Sequence, residues 1–266
     1  TGKDYSDTNR VMTASQLLDL IERAAEMISA ARYVVAFTGA GISTPSGIPD
    51  FRGEKSGLWQ RYDPMQVASR SAFFHSPTLF FDWFRPLFMT SWISQPNDAH
   101  HQLATLEKQG LLKSIITQNI DGLHQKAGSQ HVLELHGTAL TFSCPKCLTS
   151  VSGEEVFSQF SSGNPIPYCA NCPGILKPDV VLFEEGLPQD IWEQAQNEAD
   201  KADLMLVIGS SLEVYPANSI PQAATRHGCK LIFNNLSRTP MDKMADLCIP
   251  MDTAKFFPLL ITQLMR

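Results

Sequence analysis

Arg32-Tyr33-Val34-Val35-Ala36-Phe37-Thr38-Gly39-Ala40-Gly41 is the stretch on which the fold turns. An apolar run of strand length leads straight into a Gly-x-Gly turn. Because the run is continuous rather than alternating, it reads as a strand buried on both faces. Glycines directly behind it permit a tight turn and let backbone amides approach a phosphate closely. Further apolar runs follow at 112–117, 132–135, 204–209, 230–234 and 246–250. Segments with helical spacing separate most of them, at 98–109, 190–201, 217–227 and 253–265. An amphipathic helix over 14–30, with Leu17, Leu18, Ile21, Ala25 and Ile28 on one face, precedes the first strand, capped by Thr13 or Ser15. Buried strands alternating with helices predict an α/β fold with a doubly wound parallel sheet.

The chain has 266 residues, of which 43% are apolar, enough for a substantial core. It carries 21 Lys+Arg against 27 Asp+Glu, a net charge of −6. That balance argues against a nucleic-acid binder working through bulk charge, which needs a basic footprint. No apolar run approaches the ~18–20 residues that span a bilayer. The first thirty residues show no charged segment followed by an apolar one, so the expected location is the cytoplasm, with no membrane partner. Two segments break the strand–helix alternation. Residues 43–95 are rich in Pro, Phe and Trp, and 141–177 contain four of the six cysteines. The expected organisation is a large domain of 13–42, 96–140 and 178–266. A cofactor-binding loop and helical insertion (43–95) and a cysteine module (141–177) interrupt it.

Cys144-Pro-Lys-Cys147 and Cys169-Ala-Asn-Cys172 form two C-x-x-C pairs with 21 residues between them. Each tight turn can present two sulfurs to one ion, and paired knuckles at this spacing point to zinc. Disulfides or a redox pair are the rival readings. The absence of a secretion signal and the duplicated spacing favour zinc. Four thiolates close the coordination shell, so the ion is expected to be structural. Cys229 and Cys248 lie in apolar runs and read as small buried hydrophobes.

Functional side chains are expected in the loops at the carboxyl ends of parallel strands. The first such loop runs Gly39-Ala40-Gly41 through Ser43 and Ser46 to Asp50-Phe51-Arg52, with an Arg for phosphate and a Phe to cover a ring. The second is Gln118-Asn119-Ile120-Asp121, whose amides and carboxylate suit ribose hydroxyls or a bound water. His136, at the end of another apolar run, is the natural general base at neutral pH. Gly209-Ser210-Ser211 and Asn234-Asn235 close two more strands. Each loop alone reads equally well as a polar turn; five at strand ends in one domain are far more specific.

In order and identity, these motifs resemble the sirtuins, the family of NAD-dependent protein deacylases, and among them the bacterial and archaeal members. They are Gly39–Ser43 with Gly47–Arg52, Thr117–Asp121, His136-Gly137, the two C-x-x-C pairs and Gly209-Ser-Ser-Leu-Glu-Val214. The resemblance implies a Rossmann-like domain with a smaller inserted zinc-binding lobe. It implies NAD as co-substrate, structural Zn2+ on Cys144, Cys147, Cys169 and Cys172, and acyl-lysine protein or peptide substrates. By the same resemblance the NAD site comprises Gly39, Ala40, Gly41, Asp50, Phe51, Arg52, Gln118, Asn119, Ile120, Asp121, Gly209, Ser210, Ser211, Asn235 and Asp252. Catalysis falls to His136 as base with Asn119 and Asp121. Val181, Phe183, Glu184 and Glu213 border the substrate. The implied reaction moves the acyl group from lysine to ADP-ribose and releases nicotinamide, and a monomer is expected.

Two departures bear on specificity. Relatives commonly read Phe-Gly-Glu where this chain has Phe183-Glu184-Glu185, so Glu184 is expected to add charge beside the peptide and favour basic flanks. Desuccinylating members carry a Tyr-x-x-Arg pair, and aligning 75–79 by eye puts Phe84 and Leu87 at those places. With neither phenol nor guanidinium there, acetyl and longer apolar acyl groups are expected over succinyl. The runner-up activity is protein mono-ADP-ribosyl transfer from the same site. A zinc-ribbon nucleotide sensor and a hydride-transfer dehydrogenase fit less well. His136 and Asn119 argue against a catalytically silent binder, and the G-x-G-x-x-G spacing of the dehydrogenases is missing.

Overall fold

The computed structural model describes residues 13–52 and 57–265. Helix α1 (Ala14–Ala30) starts at Thr13, whose Oγ1 accepts from the Gln16 amide while Gln16 Oε1 accepts from the Thr13 amide. This reciprocal pair satisfies two otherwise orphaned donors. Strand β1 (Val34–Thr38) follows. Three helices, α2 (Pro64–Val67), α3 (Arg70–His75) and α4 (Pro77–Ile93), fill the aromatic segment. Next come α5 (Asp98–Lys108), β2 (Leu112–Thr117), α6 (Leu123–Lys126) and β3 (Val132–Glu134). The cysteine-bearing part comprises β4 (Gly137–Ser143), β5 (Ser150–Ser152), α7 (Gly153–Ser161) and β6 (Lys177–Val180). The chain then completes the large sheet through α8 (Gln189–Lys201), β7 (Leu204–Ile208), α9 (Ser219–Arg226), β8 (Lys230–Asn234), β9 (Leu247–Ile249) and α10 (Thr253–Leu264).

The six-stranded sheet has the order β3-β2-β1-β7-β8-β9, and every pairing in it is parallel. Successive side chains of β1 point to opposite faces, as the two-residue period of a strand requires. Val34 and Ala36 join a core with Ile21, Leu103 and Phe257 under α1, α5 and α10. Val35 and Phe37 join another with Ala195, Ala199 and Ile220 under α8 and α9. Burial on both faces explains why the strand sequence is continuously apolar.

A third core gathers Phe80, Phe81, Phe84 and Phe88 of α4 with Phe142, Val156, Phe160 and the buried Cys144 and Cys169. It is capped by a small antiparallel sheet, β5-β4-β6. This sheet begins at Gly137 and ends at Val180, so it takes in residues on both sides of the boundaries expected at 140/141 and 177/178. One expectation is corrected. Cys229 is buried, but Cys248 is exposed, because β9 is an edge strand and the alternation turns its middle residue outward.

The chain winds β1 to β3 in one direction across the sheet and β7 to β9 in the other. The switch point therefore lies between β1 and β7, the place where open α/β sheets bind ligands. There the loops after the two strands touch backbone to backbone. The Gly39 amide donates to Ile208 O (3.0 Å) and the Gly41 amide to Gly209 O (2.8 Å). A Cβ on Gly41 would stand 2.7 Å from Gly209 Cα, and Gly209 itself has φ +59°. Only glycine fits this crossing.

Candidate active site and zinc centre

A cavity of about 1050 Å³ opens over the switch point, bounded by the loops after β1, β2, β7 and β8 and by the small lobe. His136 sits at the β3–β4 junction on its wall. Its Nδ1 faces Gln118 O at 2.9 Å. A carbonyl only accepts, so Nδ1 carries the hydrogen and Nε2 keeps the basic lone pair. Burial, with a smaller effect from the Arg52 charge, lowers the His136 pKa, and the Gln118 bond opposes the shift. The ring is therefore neutral at neutral pH, the form a general base needs. Gly137 behind it has φ +70°, and a Cβ there would collide with Asp179 O. That turn sends the chain from the large sheet into β4.

Gln118 donates through Nε2 to Ser210 Oγ (2.9 Å), tying the β2 loop to the β7 loop. Asn119 is buried and donates through Nδ2 to Gly39 O and Ser43 Oγ, both at 3.2 Å. Asp121, also buried, accepts from Ser43 Oγ (2.7 Å) and the Leu123 amide (2.9 Å). Burial raises its pKa, and those two donors work against the rise. Ile120 lies on the cavity wall between them.

Beneath these groups lies a layer that the sequence reading did not identify. The Asn97 amide donates to His100 Nδ1 (3.3 Å), which leaves the hydrogen on Nε2, facing Ser43 Oγ at 3.4 Å. His124 Nε2 meets Thr38 Oγ1 at 3.0 Å, and Thr38 donates to Thr117. Burial holds both rings neutral, with pKa values of about 2 for His100 and about 4 for His124. His100 lies at an ordinary inward position of α5, and His124 on the short α6 directly after the Gln118–Asp121 loop, so neither one's sequence surroundings assign it a role. An aromatic layer was also missed. Trp59 stacks on Trp83 (5.6 Å between centroids) and touches Phe51 and Phe183. The aromatic richness of 43–95 was its only trace.

At the far end, Ser210 N donates to Asn235 Oδ1 (2.9 Å), while Asn235 Nδ2 and Thr253 Oγ1 are buried with no partner among the described residues. Both residues line the cavity, as polar groups awaiting a ligand would. Asp252 caps α10 by accepting from the Lys255 amide and also borders the cavity. Gly39, Ala40, Gly41, Asp50, Phe51, Gly209 and Ser211 complete that wall.

At the cavity edge that follows β6, the Val181 amide donates to His136 O (2.8 Å), and Phe183 bridges to Ser69. The Glu213 and Tyr215 amides find no acceptor among the described residues. Such an edge can take an added strand. Glu184 has φ +74°, and its exposed carboxylate accepts from the Ser71 amide (2.8 Å) at the cavity edge. Glu213 reaches across the mouth to Arg52, Oε2 to Nε 3.6 Å. Phe84 and Leu87 line the cavity; Arg85 is not among its lining residues.

The four sulfurs of Cys144, Cys147, Cys169 and Cys172 lie within 4.8 Å of one another. The Cys144–Cys172 and Cys147–Cys169 pairs stand at 3.4 and 3.6 Å, with no disulfide formed. Tetrahedral zinc with bonds of about 2.3 Å sets sulfurs about 3.8 Å apart, so the cluster fits that ion.

Comparison with known proteins agrees with this geometry. The Sir2 family model matches residues 39–216. The NAD-dependent protein deacetylase of Saccharolobus solfataricus is 49% identical over 230 residues, covering 86% of this chain and 91% of the relative. The NAD-dependent protein deacylase 2 of Archaeoglobus fulgidus is 43% identical over 249 residues, covering 93% and 97%. A solved Sir2–p53 peptide–NAD+ complex superposes with a TM-score of 0.84 at 39% identity, covering 91% of this chain and 98% of that one. This chain therefore belongs to the Sir2 family.

Proposed function

We propose that the cavity removes acyl groups from protein lysines with NAD as co-substrate, transferring the acyl group to ADP-ribose, consuming one water and releasing nicotinamide. The observation that carries this reading is His136. It is a neutral imidazole with Nδ1 tied to Gln118 O and Nε2 free at the cavity wall. When bound, NAD supplies an electrophilic ribose carbon bearing a good leaving group. The chain's own residues do the rest. His136 Nε2 accepts a proton from a ribose hydroxyl. Gln118 and Asn119 hold the nicotinamide ribose, and Ile120 and Asp121 receive the carboxamide. Gly39, Ala40, Gly41, Asp50, Phe51 and Arg52 take the pyrophosphate and nicotinamide side. Gly209, Ser210, Ser211, Asn235 and Asp252 take the adenosine, where the unpartnered Asn235 Nδ2 and Thr253 Oγ1 offer hydrogen bonds. Val181, Phe183, Glu184 and Glu213 border the peptide.

Zn2+ held by Cys144, Cys147, Cys169 and Cys172 cross-links the small lobe, and its closed shell supports structure rather than water activation. Thiolates kept as ligands suit the reducing cytoplasm. A monomer is proposed alongside, and light scattering of the purified chain checks it. The two-lobe organisation, with 43–95 and 141–177 inserted into the large domain, is supported by the separate aromatic core around α4 and α7. Deacylation is favoured over ADP-ribosyl transfer by the relatives, which are named deacetylases and deacylases. The test is His136→Ala. It is expected to abolish acyl-lysine turnover while retaining zinc and fold; near-normal turnover would remove His136 from the role of base.

A further inference from the structure

The two loops flanking the peptide side carry three carboxylates: Glu184, Glu185 and Glu213. Two are committed to the protein's own backbone. Glu184 accepts from the Ser71 amide at 2.8 Å. Glu185 accepts from the Leu182 amide at 2.9 Å and pairs with Lys177 Nζ at 3.0 Å. Glu213 has no such anchor among the described residues. Its partner is a side chain from across the cavity mouth, Arg52, with Nε and Oε2 3.6 Å apart. Glu213 is half exposed and Arg52 one third exposed, so solvent keeps the pair weak and exchangeable.

Arg52 is also the guanidinium that the proposed function assigns to the NAD pyrophosphate. Apart from it, the lysine and arginine side chains that line the cavity among the described residues reduce to Arg238, on the loop after β8. Two phosphate charges outcompete one exposed carboxylate for a guanidinium, because the contact is more highly charged. Loading NAD would therefore draw Arg52 away and leave a carboxylate at the cavity edge without its cation.

We propose that Glu213 is a specificity-determining residue that pairs with a lysine or arginine flanking the acyl-lysine of the substrate, and that it is released for this by NAD binding at Arg52. Glu213 thus adds to the preference for basic flanks that the sequence suggests through Glu184. The coupling is reciprocal: a basic-flanked peptide tightens NAD by the same factor by which NAD tightens that peptide. For an exposed pair that factor reaches about five-fold. The proposal rests on the deacylase reading.

The test uses acetyl-lysine peptides that differ at one flanking residue (Arg, Gln or Glu), with kcat/KM measured at saturating NAD. The wild type is expected to prefer Arg over Glu by about five-fold. Glu213→Gln should flatten the series and Glu213→Lys should invert it, an inversion that a merely structural role for Glu213 would not produce. In a His136→Ala background, which prevents turnover, titration calorimetry should show NAD tightened by the Arg peptide and not by the Glu peptide. An Arg preference that survives Glu213→Lys, or that is equal with and without NAD, overturns the proposal. Failure of the wild type to release nicotinamide with any acyl peptide overturns the deacylase reading, and the proposal falls with it.

Discussion

Ser43→Ala deletes a hydroxyl shared by three buried groups. Ser43 donates to Asp121 Oδ2 at 2.7 Å, accepts from Asn119 Nδ2 at 3.2 Å and faces His100 Nε2 at 3.4 Å. Burial raises the Asp121 pKa above its ordinary 3.8, and the Ser43 bond restrains that rise. The sign follows from linkage. A carboxylate with a raised folded pKa contributes most favourably below its unfolded pKa, and that contribution is lost as pH climbs through the folded value. Without Ser43 the folded value climbs further, so the variant's deficit against wild type grows with pH. A hydrogen bond to an ionised carboxylate contributes about 1.5–3 kcal/mol, one to a neutral carboxyl about 0.5–1.5 kcal/mol. Urea unfolding should therefore show a deficit of about 1 kcal/mol at pH 4, where the raised pKa leaves the folded carboxyl mostly protonated, widening towards about 2–3 kcal/mol as pH rises to 8. In an Asp121→Asn background the widening should vanish. Equal deficits at both pH values, or a smaller one at pH 8, would refute the reasoning.

Three further outcomes are expected. Glu184→Gly relieves a left-handed backbone, a gain of about 1 kcal/mol, and gives up the solvent-exposed Ser71 bond, which offsets it. Its unfolding free energy should stay within about 1 kcal/mol of wild type; a loss twice that size would mean the loop depends on Glu184. Cys172→Ser opens the thiolate cluster beside the aromatic core of the small lobe. The chain should lose its zinc by elemental analysis and unfold at a lower temperature, whereas a full zinc complement and an unchanged midpoint would exclude the site. A succinyl-lysine peptide should be cleaved at least about tenfold more slowly than its acetyl counterpart, since Phe84 and Leu87 leave a buried carboxylate unpaired. Faster cleavage of the succinyl peptide would show that some other cation, Arg85 among the candidates, reaches the acyl chain.

The large sheet was legible because its strands are buried on both faces and hence apolar without interruption. Leu112–Thr117 and Lys230–Asn234 fall where the sequence puts them, and the helix ends follow cap residues such as Thr13 and Asn97. Cys248 misled because burial on an edge strand depends on the neighbour that is missing. The small sheet was not legible, since its strands pair antiparallel across a long excursion and carry little apolar pattern. In the site, loops at strand ends were visible as strings of polar residues. What lies beneath them was not. His100 and His124 come together only through the packing of α5 against α6, and Ser43 gains its importance from partners 57 and 78 residues away. Glu184 shows the converse: its identity was informative, but the left-handed backbone and the Ser71 amide that hold its carboxylate were not visible in the sequence.

The central claim is that acyl removal and NAD cleavage are one reaction at His136. Mass spectrometry of an acetyl-lysine peptide incubated with the enzyme, with and without NAD, tests it most directly. The expected result is one free lysine, one nicotinamide and one O-acetyl-ADP-ribose per turnover, nothing without NAD, and nothing from His136→Ala. Deacetylation that proceeds without NAD, or ADP-ribose mass appearing on protein in place of O-acetyl-ADP-ribose, would contradict it.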